Sequence, residues 1–222
     1  MREPLPRRFD LIVFDWDGTL FDSTALIVRC IQAACADLEL PVPDAQRAAY
    51  VIGLGLHDAL RHAVPALPAE RYPELGRRYR SHYTALQHEL ALFPGVLDML
   101  LALKHRRHRL GVASGKSRPG LDEAMRTVGL ASLFDGTRTA DETAGKPDPR
   151  MLLELMAELG ARPDRTLMIG DTTHDLQLAR NAGAACIGVS YGAHQSSAFA
   201  AHAPLHVVDS IAELAVWLDA HA

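Results

Sequence analysis

The stretch Leu11-Ile-Val-Phe-Asp-Trp-Asp-Gly-Thr-Leu20 decides the predicted fold, because it begins as a buried strand and ends as a turn. Its first four residues form a continuous apolar run, which is typical of a strand covered on both faces. Asp15 and Asp17 follow. Residues two apart in an extended segment point the same way, so we expect both carboxylates to converge at the carboxyl end of the strand. Ligands bind at that edge of open α/β sheets, although Asp and Gly are also ordinary turn residues.

The composition of the 222-residue chain is ordinary for a globular enzyme or binding protein, with 48% hydrophobic and 23% charged residues. The net charge of −4 argues against a nucleic-acid partner, which needs a basic surface. No apolar run approaches the roughly 18–20 residues that span a bilayer. Residues 1–8 lack a signal-peptide pattern, and the three cysteines lack CxxC spacing. We expect a cytoplasmic monomer or homodimer without nucleic-acid or membrane partners.

Two kinds of pattern divide the chain. Residues 22–91 contain only helical patterns, with apolar residues at helical spacing. Strands and helices alternate afterwards, with strands predicted at 109–113, 137–140, 166–169, 185–190 and 205–208. This alternation predicts an α/β fold with a doubly wound, mostly parallel sheet. We therefore predict a Rossmann-like core formed by residues 1–21 and 92–222, and an inserted all-helical domain at 22–91.

Four polar clusters lie at the ends of strands or just before helices. Each alone has a structural explanation, as a turn residue, a helix cap, a solvated loop lysine or a helix-dipole partner. Their equivalent places in a parallel sheet nevertheless allow all four to meet along one edge. The clusters are Asp15 with Asp17, Ser114 with Gly115, Lys146, and Asp171 with Asp175.

The chemistry of this set indicates phosphoryl transfer. The aspartates provide the oxygen ligands that Mg²⁺ prefers. The Ser114 hydroxyl and the Gly115 amide are donors before a helix, a natural phosphate site, and Lys146 adds a positive charge. With a cation and a lysine offsetting the charge of the phosphate, one aspartate can attack phosphorus. The second can protonate the leaving oxygen and then deprotonate a water.

Four motifs occur in order along nearly the whole chain. They are Asp15-Trp-Asp17-Gly-Thr19-Leu-Phe-Asp22-Ser23, Val112-Ala-Ser114-Gly115-Lys-Ser, Lys146-Pro147 and Ile169-Gly-Asp171-Thr-Thr-His-Asp175. Together they resemble motifs I to IV of the haloacid dehalogenase superfamily of hydrolases, and the helical insert resembles that family's C1 cap. The likeness is greatest to phosphoglycolate-phosphatase-like members. Trp16 stands where Phe or Leu is commoner.

The resemblance implies a role for each matching residue. Asp15 would be the nucleophile and a metal ligand, and Asp17 the general acid/base, with its backbone carbonyl on Mg²⁺. Asp171 would ligate the metal, and Asp175 would order metal-bound water or Lys146. Thr19 would lie with Gly18 in the turn beside the substrate. The phosphoryl oxygens would be held by Ser114, Gly115 and Lys146.

The resemblance also separates possible activities. Haloalkanoate dehalogenases lack the second aspartate and the metal, so Asp17 and Asp171 disfavour that activity. Phosphonoacetaldehyde hydrolases need a lysine in the cap, and residues 22–90 contain none. We therefore predict a Mg²⁺-dependent phosphatase that acts on small phosphorylated metabolites such as phosphoglycolate, through an aspartyl-phosphate. A β-phosphoglucomutase-like phosphotransferase, a pyrophosphatase and a catalytically silent binding module remain alternatives.

The cap is expected to set the choice of substrate. The loop at residues 53–56 and the residues after it are candidates to face the active site. Among them, Arg61 could pair with a carboxylate of the substrate, although a solvated helix face explains the same residues. His57 and His62 share this position in the sequence.

Overall fold

The computed structural model describes residues 8–222, and the strands there form one parallel sheet. The strands are β1 (Leu11–Phe14), β2 (Arg109–Ser114), β3 (Gly136–Thr139), β4 (Thr166–Gly170), β5 (Ala185–Val189) and β6 (His206–Val208). Their order is β3-β2-β1-β4-β5-β6. The chain therefore adds strands on one side of β1 first and then, from β4 onwards, on its other side. This is the doubly wound arrangement, so the predicted fold class is confirmed. The first seven residues of the predicted core lie outside the described residues.

The helices within residues 8–222 fall into two groups. Four follow β1 in the sequence: α1 (Thr24–Asp37), α2 (Ala45–Tyr50), α3 (Leu56–Ala63) and α4 (Tyr72–Leu86). Five alternate with the later strands: α5 (Val96–His105), α6 (Arg118–Thr127), α7 (Arg150–Glu158), α8 (Thr173–Asn181) and α9 (Ile211–His221). None of the helices in the described part of the chain is both long and apolar enough to cross a membrane.

The apolar run of β1 is explained by its central position. Ile12 and Phe14 belong to the hydrophobic cluster on the face covered by α5, α6 and α9. Leu11 and Val13 belong to the cluster on the opposite face, with α7 and α8. All four side chains are fully buried, as expected for a strand between two helical layers. The loop after β1 is thereby fixed at the carboxyl edge of the sheet.

The inserted helices α1–α4 have a hydrophobic cluster of their own, formed by residues such as Ile31, Ala48 and Leu75. The two connections to the sheet run side by side, with Phe21 bridged to Leu92 and the Asp22 N–H donating to the Ala91 carbonyl over 2.9 Å. The division into a core and a cap at residues 22 and 91 stays a proposal. We use the word cap for residues 22–91 below.

Helices α1 and α7 begin without a side-chain hydrogen bond from the N-cap residue. The hydroxyl of Ser23 does not cap α1, because it donates to Asp17 over 2.7 Å. Helix α7 begins at Arg150 rather than directly after Asp148. The Asp148 carboxylate accepts from the Arg150 N–H at 3.0 Å, so it caps α7 from one residue before the N-cap position.

Candidate active site

Three buried charges meet beyond the ends of β1 and β4. Nζ of Lys146 lies 2.7 Å from Oδ1 of Asp15 and 2.7 Å from Oδ1 of Asp175. Strands β1 and β4 are neighbours in register, so the loop after β1 and the first turn of α8 necessarily meet. The Trp16 N–H also donates to Oδ1 of Asp15 over 2.7 Å. Oδ2 of Asp15 has no hydrogen-bond partner among the described residues.

Asp171 completes this cluster from the end of β4. Its Oδ1 accepts from the Thr19 hydroxyl at 2.9 Å, and its Oδ2 accepts from the Ala193 N–H at 2.7 Å. A Cβ added at either Gly18 or Gly192 would collide with this carboxylate, and Gly18 also has a φ of +78°. Glycine is therefore needed on both sides, because backbone encloses Asp171 directly.

Asp175 is fixed by the helix that carries it. The Thr172 side chain caps α8, and Oδ2 of Asp175 accepts from the Thr172 N–H at 3.1 Å, which forms a reciprocal capping box. The Thr172 hydroxyl donates to the same oxygen over 2.7 Å. With Oδ2 held in this way, Oδ1 is directed at Lys146.

The cluster carries excess negative charge. Oxygens of Asp15, Asp171 and Asp175 lie within 4.8 Å of one another, with Lys146 as the cation between two of them. Burial, aided by the charge of Asp175, raises the pKa of Asp171 to about 7. Burial also raises the pKa of Asp15 well above its usual range, against the opposing effect of Lys146. Burial alone would lower the pKa of Lys146, but the carboxylates on either side raise it.

Three buried carboxylates against one ammonium make a site suited to a divalent cation. The oxygen-only donor set matches the preference of Mg²⁺. The raised pKa values of Asp15 and Asp171 show that nearby positive charge does not fully offset the cost of burying their ionised forms. A bound cation would supply that positive charge. A buried carboxylate oxygen without a hydrogen-bond partner in the described part of the chain, Oδ2 of Asp15, also indicates that the cluster accepts a bound group.

The carboxylate of Asp17 does not join this cluster, contrary to the expectation that it converges with Asp15. The strand ends at Phe14, so residues 15–17 enter a turn and the extended alternation fails. Oδ1 of Asp17 accepts from the Ser23 hydroxyl at 2.7 Å and lies 3.1 Å from Nζ of Lys116. Lys116 also donates to the Tyr83 hydroxyl over 2.8 Å. Asp17 is thus bound to a different lysine, at the junction with the cap.

Ser114 and Gly115 lie at the end of β2, beside β1. The hydroxyl of Ser114 is buried and accepts from the Lys116 N–H at 3.2 Å. A Cβ added at Gly115 would lie 2.6 Å from the Gly53 carbonyl oxygen and closer still to that of Leu54. The cap loop therefore packs directly on the backbone of Gly115, and this structure is a closed form.

Comparison with known proteins agrees with these features. The family described as haloacid dehalogenase-like hydrolase matches residues 12–189. The chain is 38% identical over 210 residues to "Probable phosphatase IndB" of Dickeya dadantii, covering 92% of this chain and 91% of that protein. It is 33% identical over 226 residues to a 5′-nucleotidase of Pseudomonas aeruginosa, covering 96% and 97%.

A solved structure described as a predicted phosphoglycolate phosphatase from Haemophilus somnus superposes with a TM-score of 0.83 at 28% identity, covering 93% of this chain and 96% of that one. The chain belongs to the haloacid dehalogenase-like hydrolase family. The resemblance identified from the four motifs is confirmed, and the protein is an enzyme, a phosphoric monoester hydrolase.

Two histidines of this haloacid dehalogenase-like hydrolase join the cap to the core. His174 and His194 each donate from Nε2 to the Tyr50 carbonyl over 2.9 Å. The Tyr50 ring stacks on His194, with centroids 5.1 Å apart and planes 7° apart. Burial lowers the pKa of His174 to about 4 and also lowers the pKa of His194, so both rings are neutral at pH 7. We call these three residues the histidine latch.

A cavity of about 710 Å³ lies between the cap and the core. Asp17, Gly115 and Lys116 line it on the core side, and Tyr79, Tyr83 and Arg80 of α4 line it on the cap side. Asp15 is not among its lining residues. Arg61, expected to meet the substrate, is exposed and does not line it either. The reason is that the first turn of α3 faces the cavity, whereas Arg61 lies in the last turn.

The other predicted residues have specific placements in this hydrolase. The Thr19 hydroxyl donates to Asp171 rather than facing the cavity, so a direct contact with substrate is not what this geometry offers. No role is predicted from the sequence for Lys116, Tyr83 or the histidine latch. The signal for Lys116 was available, because the chain has only three lysines and this one directly follows Ser114-Gly115.

Proposed function

We propose that this protein hydrolyses phosphate monoesters of small metabolites with the help of Mg²⁺, through a phosphorylated Asp15. The observation that carries the proposal is the buried cluster in which Lys146 lies 2.7 Å from both Asp15 and Asp175, with Asp171 beside them. Burying three carboxylates with only one lysine costs folding free energy, so such a cluster indicates a functional role for its charges. Perturbed, clustered groups of this kind mark functional sites.

In the first step Asp15 attacks phosphorus. Its Oδ1 is held by Lys146 and by the Trp16 N–H, so the unpartnered Oδ2 is the nucleophilic atom. As the new P–O bond forms, the ester P–O bond breaks and the leaving oxygen takes a proton from Asp17. In the second step Asp17 accepts a proton from water, whose oxygen attacks phosphorus. The bond between phosphorus and Oδ2 of Asp15 breaks, inorganic phosphate leaves, and the Asp15 carboxylate is regenerated.

The remaining residues bind and orient the phosphoryl group. The hydroxyl of Ser114 and the N–H of Gly115 are donors for its oxygens, and Lys146 supplies a positive charge. Mg²⁺ would be held by Asp15 and Asp171, with Asp175 and the Asp17 backbone carbonyl supporting the site. Once bound, it would neutralise the charge that develops on the transferring group.

The substrate is a small phosphorylated metabolite in this proposal. The names of the relatives suggest two types, phosphoglycolate and a nucleoside monophosphate. The cap covers the site closely, with Gly53 and Leu54 on Gly115, so water is excluded during transfer. The protein acts in this proposal without nucleic-acid or membrane partners.

The test is phosphate release from p-nitrophenyl phosphate with and without Mg²⁺, comparing the wild type with Asp15→Asn. We expect turnover only with the metal, and none with Asp15→Asn. The matched control is Asp98→Asn, which removes an exposed carboxylate in the first turn of α5. Metal-independent turnover, or activity retained by Asp15→Asn, contradicts the mechanism. No phosphate release from any ester would instead favour a silent binding module.

A further inference from the structure

The cavity lies on the leaving-group side of the reaction proposed above, on which the following inference rests. Asp17, the group that protonates the leaving oxygen, lines the cavity, and so does Gly115. Asp15 is 1% exposed and is sealed away from it. When phosphorus sits between the two carboxylates, the alcohol part of the ester therefore extends past Asp17 into the cavity.

The volume of the cavity is large for a two-carbon leaving group. About 710 Å³ holds roughly 24 waters at about 30 Å³ each. This size falls within the range of about 300–1,000 Å³ that buries a drug-sized ligand. A glycolate group would fill only a small part of the space and would leave most of the apolar wall in contact with water.

The surface of the cavity is mainly apolar and aromatic. One wall consists of aliphatic side chains of the cap, and Tyr79 and Tyr83 of α4 lie nearby with ring centroids 6.0 Å apart and planes 30° apart. Tyrosine rings offer a flat ligand both a stacking surface and a polar edge. The aliphatic residues are Ile27, Ile31, Val51, Ile52, Leu54 and Leu56.

The charge of the lining disfavours an anionic leaving group. Asp17 is protonated when it acts as the acid, but the three other carboxylates, Asp58, Glu123 and Asp141, still outnumber the two permanent cations, Lys116 and Arg80. Lys116 is already engaged, because its Nζ lies 3.1 Å from Asp17 and donates to Tyr83. Arg80 is exposed at the rim. A carboxylate on the leaving group would thus meet repulsion without a dedicated buried partner.

We propose that the substrate is the phosphate monoester of a large, uncharged alcohol that carries a flat ring, the class that includes nucleoside 5′-monophosphates. The phosphate occupies the sealed cluster around Asp15, the sugar-sized portion passes Asp17, and the ring lies against Tyr79 and the aliphatic wall. The transferred group is the same as in the reaction above; what the cavity selects is the alcohol.

The first experiment ranks kcat/KM with Mg²⁺ for uridine 5′-monophosphate, adenosine 5′-monophosphate, glucose 6-phosphate and phosphoglycolate. We expect kcat/KM for a nucleotide to exceed that for phosphoglycolate by about tenfold or more. The carboxylate of phosphoglycolate would lack a cationic partner in the cavity, and its glycolate group would leave the apolar wall uncovered. A preference for phosphoglycolate or glucose 6-phosphate overturns this inference and leaves the phosphatase proposal intact. If none of the four esters and no p-nitrophenyl phosphate is hydrolysed, both proposals fail.

A pair of variants on α4 tests occupancy of the cavity directly. Thr84 is exposed and lines the cavity, whereas Ala85 is exposed, one residue further along, and does not line it. Thr84→Trp should lower kcat/KM for the nucleotide by about tenfold and leave phosphoglycolate unchanged within about twofold, because only the larger group meets the indole. Ala85→Trp should change neither. Equal losses for both substrates with Thr84→Trp contradict the proposal.

A charge variant tests the second part of the argument. Asp58→Asn removes one carboxylate from the cavity lining. We expect kcat/KM for phosphoglycolate to rise about two- to fivefold, in keeping with the worth of an exposed charge, while the value for the nucleotide stays constant. A parallel rise for both substrates, or none for phosphoglycolate, shows that the acidic lining does not select the alcohol.

Discussion

The substitution Gly115→Ala should open the cap without unfolding the protein. The added Cβ would lie 2.6 Å from the Gly53 carbonyl oxygen and still closer to that of Leu54. Both oxygens belong to backbone, which cannot rotate away as a flexible side chain does. The collision lies between the core and the cap, so it disappears once the cap loop withdraws. Its free-energy cost therefore falls on closure rather than on folding.

The magnitude follows from the size of the overlap. An added methyl group in a tightly packed place costs about 1–3 kcal/mol. At about 1.4 kcal/mol per factor of ten, the closed population, and with it kcat/KM, should fall roughly 5- to 150-fold. The thermal midpoint should change little, because the two hydrophobic clusters of the core do not include the contact. Cleavage of the cap connections by a protease should become faster.

The control is Gly145→Ala, at the same junction. A Cβ there would have its nearest neighbour, the Gly55 nitrogen, at 3.7 Å, which is an ordinary contact. We expect this variant to have the same kcat/KM and the same rate of proteolysis as the wild type. Wild-type kcat/KM from Gly115→Ala would refute the argument that the closed form carries catalysis. A fall in thermal midpoint as large as that caused by a cavity-creating substitution in the hydrophobic core would show that closure and folding are not separable.

Four further outcomes are expected. Chelation of divalent metal should abolish phosphate release from p-nitrophenyl phosphate, and added Mg²⁺ should restore it. Calorimetric Mg²⁺ affinity should fall about tenfold per pH unit below pH 7, because the pKa of Asp171 is raised to about 7 and the metal must displace its proton; a pH-independent affinity would contradict this. Lys146→Met should lower the free energy of unfolding by about 3–5 kcal/mol, because two buried carboxylates lose their cation. Added Mg²⁺ should restore part of this lost stability. His194→Leu should speed proteolysis of the cap while sparing the thermal midpoint of the core; unchanged proteolysis would show that the histidine latch does not hold the cap.

The sheet could be predicted because its signals are local and agree with one another. An apolar run of four residues, such as Leu11–Phe14, is typical of a strand covered on both faces, and the alternation of strands and helices after it indicates a layered α/β fold. The starts of α3 and α5 also follow from local signals, because a glycine precedes each helix and apolar residues recur at helical spacing within it. The meeting of strand ends at one edge then follows from parallel topology alone.

The partners of the site residues were less predictable. The sequence placed Asp15 and Asp17 together, but their side chains bind different lysines, because a turn begins where the alternation was assumed to continue. The Tyr83 contact to Lys116 joins residues 33 positions apart and depends on how the cap sits on the core. Similarly, the exposure of Arg61 depends on which turn of α3 faces inward. Propensity and motif spacing carry no information about the placement of one unit on another.

The contacts between the cap and the core are weak enough to allow the cap to open and close repeatedly. Asp15 is buried and covered by the cap loop, so a substrate reaches it only when the cap lifts. The polar contacts that hold the cap down include two hydrogen bonds to the Tyr50 carbonyl and one from Lys116 to Tyr83. Each contributes about 1 kcal/mol net, which is small beside the hydrophobic clusters within core and cap. Because both connections between core and cap run side by side at Phe21 and Leu92, we expect the cap to move as a unit about that place, and each part to stay folded while it does.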